Sequence, residues 1–287
     1  MVSVIIVSYN TIELTLKCLE RVSASKGVDL ELIVIDNASV DESVKEIRKR
    51  FKNIKIIENK KNSGFGRANN QGMKIAQGEQ ILLLNSDCFV EPDTIRELLN
   101  KNYDVAGCKL LNEDGSLQQS HGYFPNLRRI KFLMLFIDNL PLIRDYIDSI
   151  HVRSEKRYVK AQKVDWVTGA FMLLKKEVFE KTGGFDENYF MYGEEIEWQY
   201  RIAKAGFRVN YDPAVSATHL AGASSPDRAP AVIGEIEGWK YWFKKYYPGW
   251  QETALRIIVL VGCILRVFLK PESANFYKSA IFARSRK

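Results

Sequence analysis

Cysteine is scarce in this chain, with four in 287 residues. Cys18, Cys88, Cys108 and Cys263 form no C-x-x-C pair, and their spacing fits neither a zinc site nor a disulfide framework. A reducing, intracellular location is therefore expected. The start, Met1-Val2-Ser3-Val4, lacks a basic segment and a cleavage site, so no secretory leader is expected. The nucleotide fingerprints are missing too. There is no G-x-x-x-x-G-K-[ST] loop. Gly64-Phe65-Gly66 is followed by Arg67-Ala68-Asn69, without the third glycine of G-x-G-x-x-G, and follows the third apolar run rather than the first. These absences disfavour a P-loop kinase and a nicotinamide dehydrogenase.

The composition itself is that of a globular protein, 46% hydrophobic and 27% charged. The charge is unevenly placed. Residues 240–287 carry ten basic side chains against two acidic ones, a local +8 of the total +7, so residues 1–239 sum to −1. A neutral body with a basic tail argues against nucleic acid as a partner and for an anionic surface met by the C-terminus.

Short β-branched runs at Val2–Val7, Leu30–Ile35, Ile54–Ile57 and Gln80–Leu84 start 28, 24 and 26 residues apart. Helix-period segments lie between them: Ile12, Leu16, Leu19 and Val22 in the first, Val44, Ile47 and Phe51 in the second, where Asp41 is a candidate N-cap. The expectation is an α/β domain, Rossmann-like, with a mostly parallel sheet and helices on both faces. Further strands are expected at Tyr103–Leu111, at Val164–Leu174 with a break at Gly169, and at Arg208–Tyr211, ending before Asp212-Pro213. A helix is expected over Glu194–Ala205.

Each of the first four runs gives way to a polar cluster: Ser8-Tyr9-Asn10, Asp36-Asn37-Ala38-Ser39, Asn59 through Arg67, and Asn85-Ser86-Asp87. Singly, such clusters read as turns. Together they share the carboxyl rim of the sheet, where open α/β sheets bind ligands. Asp87 at the end of a buried strand suits Mg²⁺ or Mn²⁺, with His219 as a candidate second ligand, although taken in isolation His219 reads better as a satisfied surface or core histidine. Glu194, Glu195 and Glu197 crowd one helix start. That pattern fits a general base, and it fits charges placed on a helix dipole. Trp166, beside Gly169, reads either as a stacking face for a sugar or as core.

Taken in order, Ser8-Tyr9-Asn10, Asp36-Asn37-Ala38-Ser39 with Asp41, Asn62 to Gly66 with Asn69, Asn85-Ser86-Asp87, Asp165-Trp166 with Gly169-Ala170, Gly183 to Asp186, Tyr192-Gly193-Glu194-Glu195, and His219 with Gly222 and Ser224 resemble the inverting family-2 glycosyltransferases, and look closest to their bacterial rhamnosyltransferase branch. The resemblance implies a GT-A fold binding a nucleotide-sugar. It implies that Ser8, Tyr9, Asn10 and Asp36 line the nucleoside pocket, that Asn62 and Arg67 border the diphosphate and sugar, and that Trp166 belongs to the same site. Asn85-Ser86-Asp87 would stand where the family has D-x-D, with Asp87 and His219 on a divalent metal. Glu195 would be the catalytic base, with Glu194 sharing its role. Two positions depart from the family pattern: Asn85 stands for the first Asp of D-x-D, and Glu195 for the usual Asp. The implied reaction moves a sugar, rhamnose from dTDP-rhamnose, to a lipid-linked saccharide. A nucleotidyltransferase on a similar sheet and a catalytically silent scaffold are the alternatives.

The expected organisation is a catalytic domain over 1–239, with a nucleotide-sugar half at 1–110 and an acceptor half at 111–239, followed by a tail at 240–287. The tail interleaves aromatic and basic residues from Lys240 to Trp250. Ala254–Leu269 follows, apolar except for Arg256 and Arg266. Sixteen helical residues span roughly 24 Å, short of the roughly 30 Å hydrocarbon core. The expectation is a segment lying in the interface of an anionic membrane, its arginines snorkelling, on the cytoplasmic face of the plasma membrane. The block Phe132–Ile137 is a candidate second membrane contact, and a packing helix is the alternative for the tail.

Overall fold

The structure is a computed structural model that describes residues 1–220, 222, 229–269 and 274–282. Strands β1 (Val2–Ser8), β2 (Leu30–Asp36), β3 (Ile54–Glu58) and β4 (Gln80–Asn85) alternate with helices α1 (Ile12–Ser23), α2 (Ser43–Arg50) and α3 (Phe65–Ile75). Then come β5 (Cys88–Val90), α4 (Thr94–Leu99), β6 (Val105–Leu111), β7 (Leu117–Gln118), β8 (His121–Gly122) and α5 (Leu127–Met134). The remainder holds β9 (Gln162–Lys163), β10 (Trp166–Val167), β11 (Phe171–Lys175), α6 (Lys176–Thr182), α7 (Glu194–Lys204), β12 (Val209–His219), α8 (Ala229–Tyr246), α9 (Gly249–Leu269) and α10 (Ala274–Phe282).

The main sheet has the order β3-β2-β1-β4-β11-β6-β12-β5, with β7 beside β6 and β9 beside β12. The βαβ half is parallel, and β11 inserts antiparallel between β4 and β6. Alternation along β1 explains the two-faced core. Val4 and Ile6 pack with Leu16 and Leu19 of α1 on one face, while Ile5 packs with Met73 of α3 and Trp198 of α7 on the other. The register sets Ser8 opposite Asp36 and Val7 opposite Asn85, so the polar clusters do share one rim.

Two strand expectations need correction. The run Val164–Leu174 is two strands in two sheets, because β10 pairs with β8 while β11 joins the main sheet. The last strand does not end before Pro213. β12 bulges between Asp212 and Ser216 and continues to His219. A bulge tolerates a residue without an N–H, which is how proline fits inside a long strand.

A third core joins Ile130 and Leu133 of α5, Ile196 of α7, Ile236, Trp239, Trp242 and Phe243 of α8, and Leu255, Val259 and Cys263 of α9. Helix α8 runs unbroken through residues 239 and 240. The basic aromatic stretch is largely used inside the protein. Trp242 and Phe243 are buried, Lys245 bonds Asp186 and Glu197, and Tyr247 bonds the Pro125 carbonyl. Arg266 does not snorkel. It is 7% exposed, donates to the carbonyls of Leu133 and Met134, and lies over the Phe136 ring. Those bonds draw Leu133 and Met134 of the 132–137 block inward against α9 rather than toward a membrane. Helix α9 leaves Ile257, Leu260, Val261, Ile264, Phe268 and Leu269 exposed, together with Thr253 and Arg256 nearer its start. Among the described residues no helix is long and apolar enough to cross a membrane. Lys270, Arg284, Arg286 and Lys287 of the basic tail lie outside the described residues.

Candidate active site

A cavity of about 360 Å³ opens at the carboxyl rim of the sheet. Tyr9, Asn62, Asn85, Ser86, Asp87, His219, Glu194 and Glu195 line it. The sheet brings the first wall together. β4 ends at Asn85, the chain turns through Ser86 and Asp87 into β5, and β5 pairs with the last residues of β12, setting His219 opposite Cys88. The bulge at Pro213 thus precedes the stretch of β12 that delivers His219.

Asp87 is 1% exposed, and both its carboxylate oxygens lack a hydrogen-bond donor. His219 Nε2 lies 3.3 Å from Asp87 Oδ1. Its other nitrogen, Nδ1, donates to the Gln118 side-chain carbonyl at 2.6 Å. With the proton on Nδ1, the Nε2 lone pair faces a carboxylate. Two acceptors at this distance repel unless a cation or a second proton lies between them. An oxygen and an imidazole nitrogen, with further positions open to the cavity, fit a divalent ion that takes its remaining ligands from phosphate and water. Among the described residues no group of three or more His, Cys, Asp or Glu forms a metal cluster, so the protein's own donors would be these two. In this tautomer the Asn85 amide donates to His219 Nε2 at 3.3 Å, a contact that a metal ion on Nε2 would displace, and Asn85 adds no charge to the site.

The second wall is the start of α7. Tyr192 (φ 72°) and Gly193 (φ 95°) are both left-handed, turning the chain sharply so that Glu194 and Glu195 face the cavity. Close backbone contacts hold this turn. A methyl group added at Gly64 would lie 2.3 Å from the Phe190 carbonyl oxygen, and one at Gly238 of α8 would lie 2.8 Å from that of Tyr192. Glu194 is 2% exposed and its Oε2 has no partner. Burial, then the charge of Glu195, pushes its carboxyl well above the usual range. Burial also raises Glu195, although the Gly193 N–H donates to its Oε2 at 3.2 Å and His151 tempers the rise. Glu197 is different in kind: Arg201, Lys245 and Tyr246 all donate to it. Burial opposes its ionisation, but these bonds hold its carboxyl below the usual range. The three acids therefore divide into a cavity-facing pair and one structural anion.

Several expected site residues lie elsewhere. Trp166 is 3% exposed, sits in the third core and donates to the Tyr123 carbonyl, so it offers no face to a sugar. Arg67 does not line the cavity; it pairs with Glu187 at 3.0 Å on an exposed part of α3. Ser8 is buried beneath the rim with Thr15, and Asn10 is spent on Ser39 and Val40. Asp36 stands at the rim behind the lining residues. Its Oδ2 accepts from Ser39, while its buried Oδ1 has no partner. Ser224 lies outside the described residues. Conversely, Thr11, Asn37, Phe65, Thr168, Met191 and Tyr192 line the cavity without having been singled out as site residues. Asn37 was legible as part of its polar cluster: its side chain bonds Ser63, Asn59 and Asn62 and ties the loops after β2 and β3 together. Thr168 and Met191 carried no such signal.

A mixed α/β sheet with this rim cavity is the GT-A type of glycosyltransferase fold. Residues 3–183 match the profile of glycosyl transferase family 2, and the chain belongs to that family. It is 27% identical over 282 residues to N-acetylglucosaminyl-diphospho-decaprenol L-rhamnosyltransferase of Mycobacterium tuberculosis, covering 89% of each chain. It is 30% identical over 232 residues to the rhamnosyltransferase WbbL of Escherichia coli, covering 77% of this chain and 84% of that one. In fold it is similar to the mannosyltransferase PcManGT of Pyrobaculum calidifontis, solved with GDP-Man and Mn²⁺, with a TM-score of 0.57 at 17% identity over 97% of this chain and 73% of that one. It is also similar to GalNAc-T7, solved with UDP, GalNAc and Mn²⁺, with a TM-score of 0.62 at 16% identity over 98% of this chain and 54% of that one.

Proposed function

We propose that the chain is an inverting hexosyltransferase that moves a sugar, rhamnose from dTDP-rhamnose, to a lipid-linked saccharide. The observation that carries this reading is that two groups line one cavity: Asp87, both oxygens bare, beside His219, and the Glu194–Glu195 pair. The relatives' names support the sugar and the lipid diphosphate, and the resident Mn²⁺ of the structural neighbours supports a divalent ion.

Asp87 and His219 would hold Mg²⁺ or Mn²⁺, which, when bound, offsets charge on a departing diphosphate. The chain's own residues do the rest. Glu195 accepts the proton of the acceptor hydroxyl as that oxygen attacks the anomeric carbon. Attack from the side opposite the leaving group breaks the bond to the nucleoside diphosphate in one displacement and inverts the configuration. Burial beside Glu194 keeps Glu195 more basic than a surface glutamate, which suits a base. Tyr9, Asn37 and Asn62, which line the cavity, are assigned to the nucleoside, and Asp36 holds the rim from behind them through the Ser39 N–H.

The exposed apolar residues of α9 and the basic composition of residues 240–287 support reading it as a peripheral enzyme that meets an anionic membrane on its cytoplasmic face. Nucleoside diphosphate release is measured with dTDP-, UDP- and GDP-sugars, Mn²⁺ or Mg²⁺, and a polyprenyl-diphosphate saccharide. Acceptor-dependent release from dTDP-rhamnose is expected. Release of pyrophosphate instead, or none from any donor, removes the proposal.

A further inference from the structure

A second cavity, of about 230 Å³, lies behind the acid pair, between α5, α8, α9 and α10. One end is polar, with His151, Arg153 and Glu235; the other is apolar, with Met134, Phe136 and Trp239. The polar end borders the first cavity electrostatically, because His151 and Glu235 both act on the Glu195 carboxyl.

The polar groups here are only partly used. His151 Nε2 lies 2.8 Å from Glu235 Oε1. Arg153 gives its Nε to the buried Asp138 at 2.8 Å, but its terminal amino groups bond to nothing among the described residues. Arg266 adds a buried positive charge, its donors taken by backbone carbonyls. A guanidinium anchored through its Nε, its terminal donors unused among the described residues, is suited to an anionic oxygen group. The aromatic end and the apolar outer side of α9 suit a hydrocarbon chain.

Resting on the transferase reading above, we propose that this cavity binds the diphosphate and first isoprene units of the lipid-linked acceptor, with Arg153 on the phosphate oxygens and Trp239 against the chain. The acceptor sugar then projects toward Glu195. The site also explains why the chain carries a polar hole among its C-terminal helices: it reads the lipid-diphosphate end of the acceptor, which stays bonded throughout, and not the donor nucleotide.

The test uses the full chain with geranyl diphosphate as probe, followed by Trp fluorescence and calorimetry. Binding additive with that of dTDP is expected, and inorganic pyrophosphate binds at least about tenfold more weakly, since it lacks the chain. Arg153→Gln weakens geranyl diphosphate at least about tenfold and leaves dTDP affinity unchanged. Val232→Trp fills the cavity without altering a charge and acts alike, so misfolding of one variant leaves the other decisive. Loss of binding in either folded variant supports the site. Displacement by dTDP, equal affinity for pyrophosphate, or unaltered binding in both variants overturns it. A chain that binds the probe additively yet releases no nucleoside diphosphate from any donor keeps this site and loses the transferase reading. Turnover with no second probe site does the reverse.

Discussion

The two sides of the first turn of α7 carry the same side chain in opposite states. Glu194 and Glu197 are both buried, at 2% and 0% exposure. Glu197, facing α8, has every need met by Arg201, Lys245 and Tyr246, and is held as an anion. Glu194, facing the cavity, has a bare oxygen and a neighbouring acid, and its carboxyl is pushed up. Burial alone therefore does not decide what a carboxylate is for; the number of donors does. The same contrast separates the rim from the C-terminal helices. Bare oxygens at Asp36, Asp87 and Glu194 gather at or behind the cavity, while Glu237, Lys240 and Lys245 of α8 are paired within the fold.

The contrast breaks first at Glu195. Glu195→Gln is expected to lower kcat by roughly 10²–10⁴-fold while leaving donor affinity intact. In the parent chain, because burial raises this carboxyl, kcat should begin to fall on acidification at a pH above the ordinary glutamate range. A variant that turns over normally, measured as nucleoside diphosphate release, removes Glu195 from the base role. On the helix-facing side the loss should be of stability instead. Glu197→Gln removes the charge shared by Arg201, Lys245 and Tyr246, although Lys245 keeps Asp186 and Arg201 keeps two backbone carbonyls, and is expected to cost about 1–3 kcal/mol in denaturant unfolding, with kcat of the folded fraction near that of the parent. A kcat loss without a stability loss would erase the division. The smallest effect is at Glu194. Its folded pKa is raised, so the parent loses stability as pH rises through that value, whereas a glutamine does not titrate. Glu194→Gln should raise Tm by about 2–4 °C near pH 8 and by less near pH 5. A uniform shift at both pH values would contradict the assigned cause.

The parallel half of the sheet was legible because short β-branched runs and their repeat spacing are local signals. So was the pairing of polar clusters with strand ends, since parallel topology sends all those ends to one rim. Trp166 and Arg266 were not legible. Their side chains suit a ligand or an interface as well as a core, and only the packing of α5, α7 and α9 around them decides. Arg67 failed for a related reason: its partner, Glu187, is distant in sequence. Asn37 could be read as polar but not as the knot between two loops, because its partners come from the turn after a different strand.

By itself the chain's pattern determined the α/β class, the order of its first strands, the family and the identity of Asp87, His219, Glu194 and Glu195 as the residues to watch. All of that follows from periodicity and motif order, which are properties of neighbours along the chain. Only the tertiary structure decided which of three adjacent acids is structural, which aromatic residues are core, and that the C-terminal helices hold the turn bearing the acid pair. Those outcomes depend on donors and neighbours supplied from far along the polypeptide, and hydrogen bonding and desolvation act through space.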